Sequence, residues 1–246
     1  MKKAIITLCR GYDDNYQYSN LIIRNKFIEE NINDKCEIII FHEGNITLEN
    51  QKHIRSKTSL CLNFISIPKF VEISDIEFDN NKESIGFDWA YRHMCHFWFI
   101  GFLKYLDAYD LVLRIDDDCL IRSTVDDIFK ILENKVCVYG EWSSDYESVT
   151  KGLNDFTLNN IDTDKGSKTP SGPYTNVVGF NLNKIRENIK VKQYMDKVDK
   201  SNNIFIYRWG DLPLWGEVLH YLFDKQDSLY LPIKYYHGSH NNFINY

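Results

Sequence analysis

Three consecutive carboxylates, Asp116, Asp117 and Asp118, follow the apolar run Leu111-Val112-Leu113-Arg114-Ile115. If strand geometry continues through them, successive side chains alternate faces, so Asp116 and Asp118 share one face and Asp117 opposes them. Two carboxylates about 6 Å apart repel by roughly 3 kcal/mol at an effective dielectric near 20. A divalent cation between them removes that penalty, and hard oxygen ligands suit Mg²⁺ or Mn²⁺. Taken alone, the triplet fits a capped surface turn equally well. An EF-hand loop is excluded, because counting from Asp116 its required Gly and Glu positions hold Ile121 and Asp127. A phosphatase-type aspartyl nucleophile, with a second Asp moving the proton, stays open.

Three other groups could serve the same centre. Tyr91-Arg92-His93-Met94-Cys95-His96-Phe97 offers Tyr91 and Arg92 to a diphosphate or base, although the spacing alone favours a core helix with a salt-bridged Arg92. Arg208-Trp209-Gly210-Asp211 precedes an apolar segment, where Asp211 can cap a helix with Pro213 in its first turn, and can also act as an acid or base there. His237 and His240 lie in a Gly/Ser/Asn stretch with no apolar periodicity to bury them, which makes them candidate ligands, while a solvated role suits them as well.

The elements that must position these groups read as an alternation. Strands are expected at Ala4–Cys9, Cys36–Phe41, Leu62–Ile67, Leu111–Ile115, Val136–Tyr139, Tyr174–Leu182 and Leu229–Pro232. Helices are expected at Tyr16–Glu30, Ile46–Ser56, Thr124–Glu133 and Leu212–Phe223, with one long buried helix over Phe87–Leu106. Alternating strands and helices in the first 140 residues predict βαβ units and a mostly parallel, Rossmann-like α/β sheet flanked by helices. Trp142 to Pro173 is polar, and its end, with Gly166, Pro170, Gly172 and Pro173, reads as a loop. The 246 residues suit one domain, with an alternating strand–helix half over residues 1–140 and a smaller, more variable half over residues 141–246.

Composition narrows the partners. A formal charge of −6 with no basic tract argues against a nucleic-acid groove. The six cysteines form no C-x-x-C pair, so a zinc ribbon is not expected, and Cys9, Cys36, Cys61 and Cys137 in apolar runs read as reduced, buried thiols. The apolar run Ala4 to Leu8 is too short for a signal or a membrane span. The expectation is therefore a soluble, cytoplasmic chain with no transmembrane segment.

Four anchors in order resemble the fungal-type α-1,2-mannosyltransferases of glycosyltransferase family 15, Golgi enzymes that use GDP-mannose and Mn²⁺. They are Tyr91-Arg92-His93-Met94-Cys95; Arg114-Ile115-Asp116-Asp117-Asp118, where the family has Glu-Pro-Asp; Arg208-Trp209-Gly210-Asp211 with Pro213; and Tyr235-Tyr236-His237, where the family has Tyr-His-His. Thr7-Leu8-Cys9-Arg10 is similar to the family's first strand and loop.

The resemblance implies a GT-A fold and transfer of mannose, with retention, to a glycan or glycoprotein acceptor. It places Asp116, Asp118 and His237 at Mn²⁺, with Mg²⁺ as a possible substitute. It places Arg10, Tyr91, Arg92, Asp117, Asn176, Arg208 and Trp209 around the substrates, and Asp211 at the reacting centre. Two departures carry weight. The family's membrane anchor has no counterpart here, which sets Golgi residence aside. Its candidate nucleophile, a Glu shortly after a Ser-Asn pair, aligns with Val178 after Thr175-Asn176, which favours front-side attack within an ion pair over a covalent intermediate. A metal-dependent phosphohydrolase and a non-catalytic nucleotide-sugar or glycan binder are the competing readings.

Overall fold

Isoleucine-rich runs make the centre of the molecule. In the computed structural model, which describes residues 1–79, 81, 84, 86–125 and 127–238, Ala4-Ile5-Ile6 and Ile38-Ile39-Ile40 are wholly buried. Side chains covered on both faces are what a parallel sheet with helices on each side requires.

The strands are β1 (Lys3–Leu8), β2 (Glu37–His42), β3 (Leu62–Ser66), β4 (Leu111–Ile115), β5 (Cys119–Ile121), β6 (Cys137–Tyr139), β7 (Trp142–Ser144), β8 (Ser171–Pro173), β9 (Val177–Asn181), β10 (Ser228–Tyr230) and β11 (Tyr235–His237). Seven of them form the main sheet in the order β10-β6-β9-β4-β1-β2-β3. All its pairings are parallel except those of β9, which runs antiparallel to both β4 and β6. The expected mostly parallel sheet is present. Two small antiparallel ribbons, β5–β11 and β7–β8, sit apart from it.

Alternation along the strands divides the core in two. Ile6, Ile39, Phe41, Val112 and Phe180 face a cluster that includes Phe99, Phe102, Tyr194 and Trp215. Ile5, Ile38, Ile40, Leu113 and Val138 face a second cluster with Leu21, Ile28, Ile54, Ile128 and Leu132. The helices are α1 (Ser19–Asn31), α2 (Leu48–Arg55), α3 (Trp89–His96), α4 (Ile128–Asn134), α5 (Leu153–Asn160), α6 (Leu182–Glu187), α7 (Ile189–Ser201), α8 (Asn203–Tyr207) and α9 (Asp211–Leu222). Among the described residues, no helix is long and apolar enough to cross a membrane.

Two expectations are corrected. The helix expected over Phe87–Leu106 is not continuous: α3 passes into a π-helical turn at Phe97–Gly101 and a 3₁₀ turn at Leu103–Tyr105. The wide turn is closed by Phe102 N–H to the Phe97 carbonyl at 2.9 Å. Within it, the Trp98 carbonyl accepts the Trp215 indole N–H at 3.0 Å, so a buried donor and a carbonyl in the irregular turn satisfy each other.

The end of the polar stretch is a loop as far as Pro170, but its last three residues form β8, which lies directly on α9. Gly172 and Gly216 make that approach possible: a Cβ on Gly216 would overlap the Ser171 carbonyl, and one on Gly172 would overlap the Leu212 carbonyl. Gly216→Ala is expected to cost about 1–3 kcal/mol by overpacking, read as a lowered melting temperature. An unchanged melting temperature would show that the ribbon can shift away. All six cysteines are free, and Cys61 is exposed rather than buried, since it precedes β3 on the sheet's outer edge.

Candidate active site

Strand β4 stops at Ile115, and the chain then turns instead of continuing extended. The Asp116 carbonyl accepts from Cys119 N–H at 3.1 Å, which closes a four-residue turn. The expected sharing of one face by Asp116 and Asp118 is therefore not found. The three carboxylates fan out to three different sets of partners.

Asp116 turns back onto its own strand. Its two oxygens accept from Arg114 Nε at 2.7 Å and Nη2 at 3.0 Å. Arg114 Nη1 donates to Asp211 Oδ2 at 2.6 Å. The guanidinium is buried, with a side chain only 6% exposed, and lies 4.2 Å from the Trp98 ring centroid. Burial alone would lower the pKa of Arg114, but the charges of Asp116 and Asp211 outweigh it and raise the value. Burial also pushes Asp116 upward, against the lowering effect of Arg114. A lone cation inside an apolar strand has to find partners, so Arg114 carried a signal that its position in the sequence motif had obscured. Asp211, at the first turn of α9, is thereby held 5% exposed beneath the site.

Asp118 points the other way. Its Oδ2 lies 3.4 Å from His237 Nε2. The contact depends on the β5–β11 ribbon, whose register sets His237 opposite Cys119, and on Gly238 N–H donating to the Asp118 carbonyl at 2.8 Å. Ligand atoms of Asp118, Cys119 and His237 all lie within 4.8 Å of one another. The edge of the Tyr174 ring covers His237 with centroids 6.0 Å apart. His240 lies outside the described residues.

Asp117 faces a cavity of about 280 Å³ lined by Cys9, Tyr12, Gln17, Tyr18, Asp118 and Gly238, among others. This cavity opens at the carboxyl ends of β1 and β4, the place where open α/β sheets bind ligands. Tyr18 donates its hydroxyl to the Tyr12 carbonyl at 3.1 Å and accepts from Tyr12 N–H at 2.8 Å, which fixes the loop after β1. Arg10, just after β1, is exposed at this end of the sheet.

Burial, then the neighbouring charges of Asp118 and Asp116, push the Asp117 carboxyl up to about 7. Its unfolded value is near 3.9, so the folded chain holds an extra proton between those values and stability falls as pH rises through them. Asp117→Asn is expected to flatten that decline in metal-free protein, measured as melting temperature against pH. An unaltered slope would assign it to another group.

Asn176 is buried beside this turn. Its carbonyl accepts from Asp116 N–H at 2.9 Å, and its Oδ1 accepts from the Tyr235 hydroxyl at 3.0 Å. Its Nδ2 is buried without a protein acceptor, an exception among buried donors.

Three residues expected around the substrates make structural contacts in the fold. Arg92 is fully buried and donates to the carbonyls of Phe87, Phe205 and Ser84 at 2.7–3.0 Å, with its charge 3.6 Å from the Phe78 ring centroid. Burial first, and the nearby Arg208 second, lower its pKa to about 10. With its donors spent on backbone carbonyls, it fastens α3 to α8. Arg92→Ala is expected to lower the melting temperature without selectively weakening donor affinity, and a selective loss of affinity would restore the binding role.

Trp209 is 1% exposed and donates its indole N–H to the Lys151 carbonyl at 3.0 Å, which makes it a core residue. Arg208 is paired with Asp145 and lies over the rings of Phe87 and Tyr91, at 4.1 and 5.1 Å to their centroids. Its positive φ of 69° is rare for a residue with a Cβ. Tyr91 packs against Phe87 beside that pair. Asp145 comes from the polar stretch after β7, where nothing in the sequence marks it.

The sheet order, the acidic turn after its central strand and the cavity beside it define a GT-A fold. Core-mannan synthase A of Aspergillus fumigatus, solved in a manganese and GDP form, matches with a TM-score of 0.80 at 20% identity, over 97% of this chain and 75% of that one. The mannosyltransferase Ktr4p of S. cerevisiae matches with a TM-score of 0.81 at 19% identity, over 96% of this chain and 70% of that one. Mouse xyloside xylosyltransferase 1 matches more loosely, with a TM-score of 0.55 at 11% identity over 94% of this chain and 85% of that one. At these identities the likeness is one of fold. No family model matches the sequence, and no curated protein matches it.

Proposed function

We propose that this chain is a metal-dependent glycosyltransferase that moves mannose from GDP-mannose, with retention, to a hydroxyl group of a glycan. The observation that carries the reading is the meeting of Asp118 and His237, 119 residues apart in the chain, beside a cavity at the carboxyl ends of β1 and β4. The carboxylate suits Mn²⁺ and the imidazole adds a nitrogen ligand of the kind transition-metal ions accept; Mn²⁺ is the ion named with core-mannan synthase A. Bound there with a diphosphate, such an ion supplies Lewis acidity toward the leaving group.

The remaining work belongs to the chain's own residues. The cavity of Tyr12, Tyr18 and Asp117 has the position and polarity for a nucleoside, with Arg10 nearby for phosphate. The unsatisfied amide of Asn176 can donate to a ligand oxygen. Asp211, held by Arg114, orients the acceptor hydroxyl or stabilises positive charge on the sugar. Val178 is 1% exposed within β9, opposite Arg114. No carboxylate stands at that position, which supports front-side attack, with the leaving phosphate taking the acceptor proton. Residues 1–140 then supply the donor site, and residues 141–246 supply His237, Asp211 and the acceptor side.

Thermal unfolding with GDP-mannose, UDP-glucose or neither, each with Mn²⁺ or with chelator, tests this assignment. A ligand at a hundred times its Kd stabilises the folded chain by about 2.7 kcal/mol. The expected result is a melting temperature raised by GDP-mannose with Mn²⁺ and lost with chelator. Equal stabilisation by UDP-glucose would overturn the donor base. Phosphate release from a simple phosphoester would favour the phosphohydrolase.

A further inference from the structure

Cys119 opens β5 directly across the antiparallel ribbon from His237. Directly opposed residues in such a pair project to the same side, with Cβ atoms about 4.5–5.5 Å apart. The Cys119 sulfur lies 3.8 Å from Asp118 Oδ1. One ligand atom from each of Asp118, Cys119 and His237 falls within 4.8 Å of the other two. Both oxygens of Asp116, the other carboxylate expected at the metal, are meanwhile engaged by Arg114. The groups converging on one point are thus a carboxylate oxygen, an imidazole nitrogen and a sulfur.

We propose that Cys119 is a third protein ligand of the cation, so that the site holds Mn²⁺ and more thiophilic divalent ions in preference to Mg²⁺. The inference rests on the metal reading of Asp118 and His237 and changes what that site selects. Soft thiolate ligands discriminate against Mg²⁺, whereas carboxylate and water alone do not. Binding exchanges the sulfur–hydrogen bond for a sulfur–metal bond and releases the proton to solvent, with no electron transfer. The buried position of the sulfur, 0% exposed, limits its oxidation while the ion is in place.

Co²⁺ titration of the full chain reads the two ideas separately. Visible d–d bands report binding of the ion, and a near-ultraviolet sulfur-to-cobalt charge-transfer band reports the thiolate. Both are expected in the unaltered protein. Cys119→Ser should keep the visible bands and lose the near-ultraviolet band. It should also reduce the preference for Cd²⁺ over Mg²⁺ about tenfold or more.

Visible bands without the near-ultraviolet band in the unaltered protein would overturn the sulfur ligand and leave the metal reading standing. Absence of both would overturn both. Survival of the near-ultraviolet band in Cys119→Ser would assign it to another cysteine and overturn the proposal. If neither Cys119→Ser nor Cys119→Ala folds, cadmium NMR of the unaltered protein decides, since a sulfur ligand moves the resonance far downfield. A shift in the oxygen–nitrogen range would overturn the proposal.

Discussion

Asp118→Ala is expected to lower Mn²⁺-dependent turnover of the donor about a thousandfold with no loss of melting temperature. The two halves of that result have separate causes. Asp118 supplies the carboxylate that faces His237, so under the proposed function its removal takes away an anionic ligand of the ion. Its side chain is 27% exposed at a turn, so truncation opens no cavity in the core. The Asp118 charge also raises the pKa of both Asp117 and Asp116, and removing it relieves repulsion in the folded chain. Stability should therefore stay level or rise while turnover collapses. Turnover that persists in Asp118→Ala would remove the metal role assigned to this residue, and a large fall in melting temperature would recast it as structural.

Arg114→Met is expected to destabilise the chain by about 3–5 kcal/mol, because it leaves Asp116 and Asp211 without their shared cation in a buried site. The effect is larger than that of a lost surface ion pair, since the Asp211 side chain is only 8% exposed and the Arg114 side chain 6%. Acidification should narrow the deficit. A buried carboxylate deprived of its cation has its folded pKa raised further, so the folded state binds the proton more readily than the unfolded one. Stability is then regained as pH falls toward the unfolded value.

Combining Arg114→Met with Asp116→Asn and Asp211→Asn should recover much of the stability in urea and none of the activity, since the buried charges are gone together with the carboxylate proposed to act on the acceptor. Equal urea midpoints for Arg114→Met and the unaltered chain would show that the triad contributes nothing to folding.

The parts of the fold that were legible in the sequence are those with strong local periodicity. The run Leu111–Ile115 is the central strand at the residues expected, and the isoleucine runs at Ile5 and Ile38 are the buried strands β1 and β2 beside it. Helix α7, not among the expected elements, also has a local signal, since Val191, Tyr194, Met195 and Val198 recur at helical spacing and are its buried residues.

Other features had no local signal. The π turn at Phe97 is made by what packs on it, above all the Trp215 indole, which comes from an element over a hundred residues later. The strand β8 exists because Gly172 meets Gly216, a coincidence of two distant glycines.

The site divides along the same line. Residue type made the Asp116–Asp118 triplet and His237 candidates, the family resemblance joined Asp116, Asp118 and His237 at one ion, and the fold brings Asp118 and His237 together. The fanning of the triplet was hidden, because a turn closed at Cys119 cannot be told from a continuing strand by residue type alone. Arg92 and Trp209 stand out as motif residues, and their burial and backbone contacts are features that residue type does not reveal. Asp145 was invisible because its partner, Arg208, is 63 residues away.

The proposed transfer requires the side chains of Asp118 and His237 to join a divalent ion to a nucleoside diphosphate. Calorimetric titration of GDP into the chain, with Mn²⁺ and then with chelator, measures that joining directly. The expected result is GDP binding that needs Mn²⁺ and weakens about tenfold or more in His237→Ala. Equal GDP affinity with and without the ion, or in the unaltered chain and His237→Ala, would contradict the account.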